Sequence, residues 1–452
     1  MAHFEVDRQT INDLQLFNDT TGNIAVYSFF DYVSTFGGSK KLTEMMSTPS
    51  NDIRVLSSRR DCIKYFYDNE VHLPLNKNDL DFIEHYLAFN VGSISSGIID
   101  AFTKGLSYKF SHNNDYYVVT KGIKEVFKLL NIVWKFYNDL LDKDPPRHLV
   151  AIAESLKEFF SIKGIEKIVL TDGDKKLNYF EVGYYDKLFR KQELPAIKAV
   201  IKIIYELDVY IALAKAATHN GFCFPEYSTG NDAYVHITDL YHPCIKNAVK
   251  NSILIDHQKN LVFLTGANMA GKSSFLKSLG LAIYLAHIGF PIPAGSMQTS
   301  IFNGLITTVN LSDNIKSGYS HYYSEIKRVK ETAGKILEHN NMFIIFDELF
   351  RGTNVKDAYD ASLATITALS KIRNSVFLIS THIVEIAAEL KQYPNISFRY
   401  FASRIEAGKP VFEYKIQEGI SEETLGFFIF KNEGILEILE NASGKENRLG
   451  NL

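Results

Sequence analysis

The stretch Gly266-Ala-Asn-Met-Ala-Gly-Lys-Ser-Ser274 decides how the second half of this chain folds, because it has the composition of a loop that cradles phosphate. It directly follows the apolar run Leu261–Leu264, which predicts a buried strand, and it opens a helical pattern. In such a loop the backbone N–H groups curl around a β-phosphate, Lys272 reaches the β and γ oxygens, and the Ser273 hydroxyl ligates Mg²⁺. A glycine-containing turn with an incidental lysine is the alternative, but it does not account for strand, loop and helix in this order. The sequence therefore predicts a nucleotide-binding protein.

Length and composition limit the further possibilities. A chain of 452 residues is too long for one compact core and predicts two or three domains. The formal net charge of −3 gives no global basicity, so any nucleic-acid surface has to be local, and the lysines spread over residues 101–150 favour a solvated helix face over a phosphate-contacting one. Cys62, Cys223 and Cys244 lack CxxC spacing, which argues against a disulfide framework and a zinc site. Without a signal peptide or an apolar run of ~18 residues, we expect a cytoplasmic protein with no membrane partner.

The hydrophobic pattern divides the chain into two parts. In residues 1–230 apolar side chains recur at spacings of three and four, which predicts long helices. Residues 231–452 alternate short apolar strands with helices, the pattern of an α/β domain. Within the first part, turn residues separate Lys167–Leu170 from Leu177–Phe180, and these two runs are candidates for a hairpin. The candidate strands of the second part are Leu261–Leu264, Met342–Phe346 and Val376–Ser380.

Candidate catalytic residues stand at the ends of two of these strands. Asp347 and Glu348 follow Met342–Phe346, where Asp347 is placed to hold Mg²⁺ and Glu348 to orient or deprotonate the water that attacks a γ-phosphate. An exposed acidic turn would explain the pair alone, but the phosphate loop upstream favours the catalytic role. His382 follows the third strand, at the edge of the sheet where open α/β folds bind ligands, and is a candidate γ-phosphate sensor. A lone histidine is more often structural.

The order of these motifs resembles the DNA mismatch-repair MutS family. Thr265–Ser274 is similar to the family's phosphate loop, TGPNMGGKST, and Asp347–Thr353 looks like its DELGRGT. Ile379–His382 is similar to the ending ATH. Further segments that resemble the family are Phe4–Leu14 and Thr35–Pro49 in its core region, Leu207-Asp208 in its last lever helix, Tyr241–Pro243 with Asn251 at the entrance to the ATPase domain, and Ala286–Ala294 after the phosphate loop.

The resemblance also implies roles for individual residues. Ser317–Glu325 is similar to the SGxSxFxxE signature, which in this family presents a serine to the partner subunit's nucleotide, so Ser320 is expected to act in trans. The implied catalytic residues are thus Glu348, His382 and Ser320. ATP sites of this kind are completed by homodimerisation. The implied ATP-binding residues are Gly266, Asn268, Met269, Ala270, Gly271, Lys272, Ser273, Ser274 and Tyr414, and the implied Mg²⁺ ligands are Ser273 and Asp347.

The implied fold is multidomain: an N-terminal all-α core and lever domain, residues 1–230, followed by an ABC-type α/β P-loop ATPase domain, residues 231–452. We expect the mismatch-recognition domain to be missing before Phe4, and the clamp to be short or absent. Ala270 and Ser274 replace a glycine and a threonine of the phosphate loop and should preserve nucleotide binding. Phe350 replaces the first glycine of DELGRGT, which adds bulk and removes freedom for positive φ. Ala248 stands where many relatives have an aromatic residue near the adenine.

The expected function is that of a dimeric ATPase that couples ATP binding and hydrolysis to clamping duplex or branched DNA through backbone contacts, in mismatch repair or a related repair or recombination process. An ATP-dependent dimeric protein-interaction scaffold without DNA binding is the alternative, and the near-neutral charge permits it. A transporter-type ABC cassette would share the loop chemistry. The sequence lacks an LSGGQ-like signature and places the helical part before the ATPase domain, which argues against a transporter.

Overall fold

A computed structural model describes residues 4–17, 24–69, 71–89, 114–169, 176–230, 232–309, 321–406, 409–421 and 430–439. The chain forms two compact units. The first, here called the site unit, comprises Met1–Phe29, Pro49–Leu56 and Gly221–Leu452, and the second, the helical unit, comprises Phe30–Thr48 and Ser57–Asn220. This division differs from the sequence ranges 1–230 and 231–452, because the first residues of the chain pair with a strand of the second half.

The site unit contains a central sheet whose strands follow the order β1-β7-β8-β9-β5-β10-β11. Neighbours from β1 to β10 run parallel, and β11 returns antiparallel beside β10. Every residue of β8 and β9 is buried, as a parallel sheet covered on both faces requires. The three strands predicted from apolar runs are therefore present. The strands are β1 (Glu5–Val6), β5 (Leu261–Gly266), β7 (Gly304–Thr308), β8 (Met342–Phe346), β9 (Val376–Ser380), β10 (Ile396–Glu406) and β11 (Lys409–Glu418).

A second sheet of the same unit has four strands in the order β2-β6-β3-β4. They are β2 (Pro225–Tyr227), β3 (Val235–Leu240), β4 (Asn251–Ile255) and β6 (Ser296–Thr299). The first helix of the site unit is α1 (Arg8–Asp13). Further helices of this unit are α9 (Lys272–Ala286), α10 (His321–His339), α11 (Val355–Leu369) and α12 (Ile386–Leu390). Helix α9 lies close to the central sheet at Gly280, where an added Cβ would be 3.2 Å from Ile345 Cδ1 and 3.5 Å from Thr307 Cγ2.

The described elements of the helical unit are helices. They are α2 (Phe36–Ser47), α3 (Ile53–Asp68, which begins in the site unit), α4 (Lys77–Ala88), α5 (Asn114–Leu141), α6 (Arg147–Phe160), α7 (Tyr179–Lys187) and α8 (Leu194–Asn220), with a π-helical turn at Leu188–Gln192. The hairpin expected around residues 167–180 is wrong at both flanks, because residues 167–169 form turns and Tyr179 begins α7. A capping box explains the start of α7: the Asn178 side chain accepts from the Glu181 N–H and the Glu181 carboxylate accepts from the Asn178 N–H. Residues 170–175 lie outside the described residues.

Two buried carboxylates organise the helical unit. Asp208 on α8 accepts hydrogen bonds from the Ser34 and Thr35 N–H groups and from the Thr35 hydroxyl, just before α2 begins. Asp186 on α7 pairs with Arg190 at 2.6 and 2.7 Å, and Arg190 also donates to the Phe89 carbonyl at 2.8 Å. Among all helices described, none is both long enough and apolar enough to cross a lipid bilayer.

Candidate functional site

The loop between β5 and α9 has a backbone that suits its glycines. Gly266 has a φ of 137° and Gly271 a φ of 104°, both in the region that L side chains rarely adopt. At Gly266 an added Cβ would lie 3.1 Å from the Phe401 carbonyl oxygen, so the neighbouring strand β10 also requires a glycine here. Met269 has a φ of 67° and a side chain that is 76% exposed, which leaves the tip of the loop facing solvent. The loop therefore combines a tight turn with an accessible outer face.

Lys272 is the first residue of α9, and its ammonium group points back into the loop. Its Nζ donates to the carbonyl oxygens of Gly266 and Ala267 at 2.7 and 3.1 Å. Burial lowers the pKa of Lys272, and the negative charges of Asp347 and Glu348 oppose that change. The lysine is thus held inside the loop and within electrostatic reach of both carboxylates.

The acidic pair lies at the end of β8, and the last residue of β9 holds both members. The Ser380 hydroxyl donates to Asp347 Oδ1 and accepts from the Glu348 N–H at 3.0 Å. The Asp347 N–H donates to the Thr308 carbonyl at 2.9 Å, which ties the pair to β7 as well. Because β7, β8 and β9 are parallel neighbours, their carboxyl ends bring these groups to one edge of the sheet.

The Glu348 carboxylate has two side-chain partners, His382 and Arg351. His382 Nε2 lies 2.7 Å from Oε1, and Arg351 Nη1 donates to Oε2 at 2.7 Å. The hydrogen bond with His382, reinforced by that from Arg351, lowers the pKa of Glu348 to about 2. The Glu348 side chain is 23% exposed, so it remains accessible from solvent. The structure therefore brings the predicted base and the predicted sensor into direct contact.

A cavity of about 500 Å³ opens beside the loop, a size that suits a small-molecule ligand. The Tyr414 ring lines this cavity next to the loop, since an added Cβ at Gly271 would be 3.2 Å from Tyr414 Cδ1. Asn251 fixes the backbone there by donating to the Tyr414 carbonyl at 2.9 Å and accepting from the Ile416 N–H at 2.8 Å. The lining residues include Asn268, Met269, Gly271, Lys272, Ser273, Ser274, Glu348, Tyr414 and, from the β3–β4 connection, His242, Ile245 and Ala248.

Comparison with known proteins bears on this arrangement. The family model for MutS domain V matches residues 262–450, which include the loop, the acidic pair and His382. The chain is 26% identical over 303 residues to the DNA mismatch repair protein MutS of Petrotoga mobilis, covering 65% of this chain and 37% of that protein. It is 31% identical over 239 residues to the MutS protein of Thermus aquaticus, covering 52% of this chain and 28% of that protein.

These matches support a MutS-family protein. The matched region spans about a third of the length of these curated relatives. The match to the MutS protein of Oceanobacillus iheyensis, 25% identical over 294 residues, covers 62% of this chain and 33% of that protein.

Phe350 is the clearest departure of this chain from the MutS pattern. It has a φ of 59°, in the left-handed region where the pattern has a glycine. Its side chain is 4% exposed and its ring packs edge-on against Tyr322, with centroids 6.0 Å apart. The aromatic ring is thus part of the hydrophobic core of the site unit.

The structure brings most of the predicted site residues of this chain to one place. Ser320 and the other residues of 310–320 lie outside the described residues. Sequence reasoning missed Ser380 and Arg351. Ser380 had a weak signal, since a hydroxyl residue ends a buried strand, and Arg351 had a stronger one, a basic residue three positions after a candidate base. Among the residues described, no group of three or more His, Cys, Asp or Glu could hold a metal ion.

Proposed function

We propose that this MutS-family chain binds ATP with Mg²⁺ in the cavity beside the β5–α9 loop and hydrolyses it. The observation that carries the proposal is the meeting of the loop, Lys272, Asp347 and Glu348 at the carboxyl ends of β5 and β8, the two parallel strands on either side of β9. This is the edge at which open α/β sheets bind their ligands. The match to MutS domain V over residues 262–450 supports it independently.

The residues present fit a nucleotide triphosphate. The loop backbone and Lys272 would hold the β- and γ-phosphates, which requires the lysine to exchange its loop carbonyls for phosphate oxygens. The base would lie toward Tyr414, where Ala248 leaves room in the cavity wall. Asn268 and Met269 would close the site from the loop side.

The donor set also fits Mg²⁺. Ser273 and Asp347 offer a hydroxyl and a carboxylate, and Mg²⁺ typically takes one or two protein oxygens together with phosphates and water. When bound, the ion neutralises charge that develops on the β and γ oxygens. Ser380 orients the Asp347 carboxylate for this role, because its hydroxyl donates to Oδ1.

Glu348 would orient the attacking water, with His382 beside it. Both carboxylate oxygens of Glu348 accept a hydrogen bond, from His382 and from Arg351. A water can therefore reach the carboxylate only by sharing an oxygen or by displacing one partner. Arg351 is the more exposed partner, at 50% against 40% for His382, and is the one we expect to move.

Two substitutions test the ATPase assignment. Lys272→Ala should abolish tight ATP binding, whereas Glu348→Gln should leave ATP bound and lower kcat by about 10²- to 10⁴-fold, because it removes a group that assists proton transfer. Lys259→Ala and Glu389→Gln change exposed residues of the same types and serve as matched controls. Normal turnover by Glu348→Gln would show that another group activates the water.

The proposal extends to a homodimer that acts on DNA, because the relatives are named DNA mismatch repair proteins. We propose that Ser320 completes the partner's ATP site and that ATP binding drives clamping through phosphate-backbone contacts. A Ser320→Ala protomer mixed with a Lys272→Ala protomer should fail to restore ATPase activity that a wild-type partner restores.

DNA coupling is tested by measuring ATPase activity with homoduplex, mismatched and four-way-junction DNA in parallel. We expect at least one of these to change kcat and to bind with an affinity that falls steeply with salt. ATPase activity that ignores all three, together with no DNA binding at low salt in any nucleotide state, would replace this proposal with a protein-interaction scaffold.

A further inference from the structure

The first described residues of the chain pair with the beginning of β7, the strand whose carboxyl end borders the proposed site. β1 pairs in parallel with β7, with Glu5 opposite Gly304 and Val6 opposite Leu305. Helix α1 follows at once and is capped by Asp7, whose Oδ1 accepts from the Thr10 N–H at 2.8 Å. The segment that opens the chain is therefore an integral part of the site unit.

Asp13, at the end of α1, binds the last residues of β7. Its Oδ2 accepts from the Thr307 hydroxyl at 2.8 Å and from the Val309 N–H at 2.9 Å. Thr10 adds a bond from the same helix, since its hydroxyl accepts from the Thr307 N–H at 3.0 Å. Asp13 is 1% exposed, so these bonds are made away from water, where their loss is costly.

Arg328, on α10, binds the same strand end from the other side. Its Nε donates to the Thr308 hydroxyl at 3.1 Å and its Nη2 to the Thr307 carbonyl at 2.7 Å. Its Nη1 donates to Asp7 Oδ2, which joins α10 to α1. The three nitrogen atoms of the guanidinium thus connect α10 to the end of β7 and to Asp7 before α1.

This cluster touches the proposed catalytic groups through Thr308. The Thr308 carbonyl accepts the Asp347 N–H at 2.9 Å, so the strand end held by Asp13 and Arg328 supports the backbone of the proposed Mg²⁺ ligand. The cluster also holds both sides of residues 310–320, since Asp13 binds Val309 and Arg328 lies on the helix that follows. Glu325 on that helix accepts from the Gly352 N–H at 3.3 Å, just beyond the acidic pair.

We propose that Asp13 and Arg328 are positioning residues of the ATP site: they act through Thr307, Thr308 and Val309 to fix Asp347, and they set the rate of hydrolysis without touching ATP. The proposal rests on the proposed ATPase function. Because the loop and Lys272 lie two strands away from β8, nucleotide binding should not depend on the cluster.

The test compares kcat and KM for ATP in paired variants. Asp13→Ala and Arg328→Met should lower kcat by about 10- to 100-fold, because a misplacement of about 1 Å can have an effect of this size, and should leave KM within about twofold. Asp13→Asn should recover most of the activity, since an amide oxygen can accept both bonds that Oδ2 accepts. Asp256→Ala is the matched control, because Asp256 caps a turn before β5, at the amino ends of the parallel strands and away from the proposed site.

Hydrogen exchange of the peptide that contains Asp347 gives a readout besides activity. Its amide should exchange faster in Asp13→Ala and Arg328→Met than in the wild type, and at the wild-type rate in Asp256→Ala. Wild-type kcat in folded Asp13→Ala and Arg328→Met would overturn the positioning role, as would a fall in kcat that only follows the folded fraction measured by circular dichroism. Absence of ATP hydrolysis by the wild type would instead overturn the proposed function, and the positioning role with it.

Discussion

Replacing Phe350 separates the energy of its buried ring from the strain of its backbone. The residue lies at a φ of 59°, where an L residue is strained, and its side chain is 4% exposed in the core of the site unit. Alanine removes the ring and keeps the strain. Glycine removes the ring and relieves the strain. The two variants therefore differ chiefly in the backbone energy at this one position.

The expected magnitudes follow from these two effects. Loss of a buried phenyl ring costs about 3–5 kcal/mol of unfolding free energy, and Phe350→Ala should lose that amount. Phe350→Gly regains about 1–2 kcal/mol of left-handed strain. Against this gain, the greater flexibility of glycine in the unfolded chain lowers the unfolding free energy by about 0.5–1 kcal/mol. We therefore expect Phe350→Gly to be more stable than Phe350→Ala by about 0.5–1 kcal/mol.

Phe377 provides the control, because it is fully buried in β9, where glycine has no backbone advantage. There glycine should be less stable than alanine by about 0.5–1 kcal/mol. Urea unfolding followed by circular dichroism measures all four variants, since the one tryptophan, Trp134, lies in the helical unit. Equal or greater stability of Phe350→Ala than of Phe350→Gly, with the usual order at Phe377, would refute the left-handed backbone at 350.

Three further predictions concern other parts of the chain. Arg190→Met removes the guanidinium that pairs with Asp186, which is fully buried, and should lower the stability of the helical unit by about 3–5 kcal/mol, as followed by Trp134 fluorescence in urea. The hydrogen bond with Glu206 raises the pKa of His148, so its stabilising effect is complete below the unfolded pKa of about 6.5 and is lost as pH rises through the folded pKa. His148→Gln should therefore lower the melting temperature at about pH 5.5 and change it much less at about pH 8.5, and an equal effect at both would contradict the sign. Asn251→Ala removes the bonds to Tyr414 and Ile416 and should raise KM for ATP more than it lowers kcat, as steady-state kinetics would show.

The strands of the site could be predicted from the sequence because each is a short apolar run that ends in polar residues. Asp347 and His382 were predictable for the same reason, since a parallel sheet brings the carboxyl ends of its strands to one edge. The pairing of Glu348 with His382 needed the sheet order as well, because it depends on β8 and β9 being neighbours.

Contacts between distant parts of the chain could not be predicted in this way. Glu5 and Val6 form a strand only because β7 offers an unpaired edge, and a two-residue run carries no periodic signal. From the sequence alone, Phe350 is expected to add bulk beside the carboxylate. In the structure its side chain packs into the hydrophobic core, from a backbone with a φ of 59°.

The sheet order gives β9 the central place in the site. It lies between β8, which carries Asp347, and β5, which carries the loop, so the two are separated by two strand spacings of roughly 4.8 Å each. Ser380, the last residue of β9, contacts both members of the acidic pair with one hydroxyl, which donates to the Asp347 carboxylate and accepts from the Glu348 N–H. A side chain that only donates or only accepts would satisfy one carboxylate residue and release the other. The hydroxyl at position 380 is therefore what couples the orientation of the proposed metal ligand to the backbone of the proposed base.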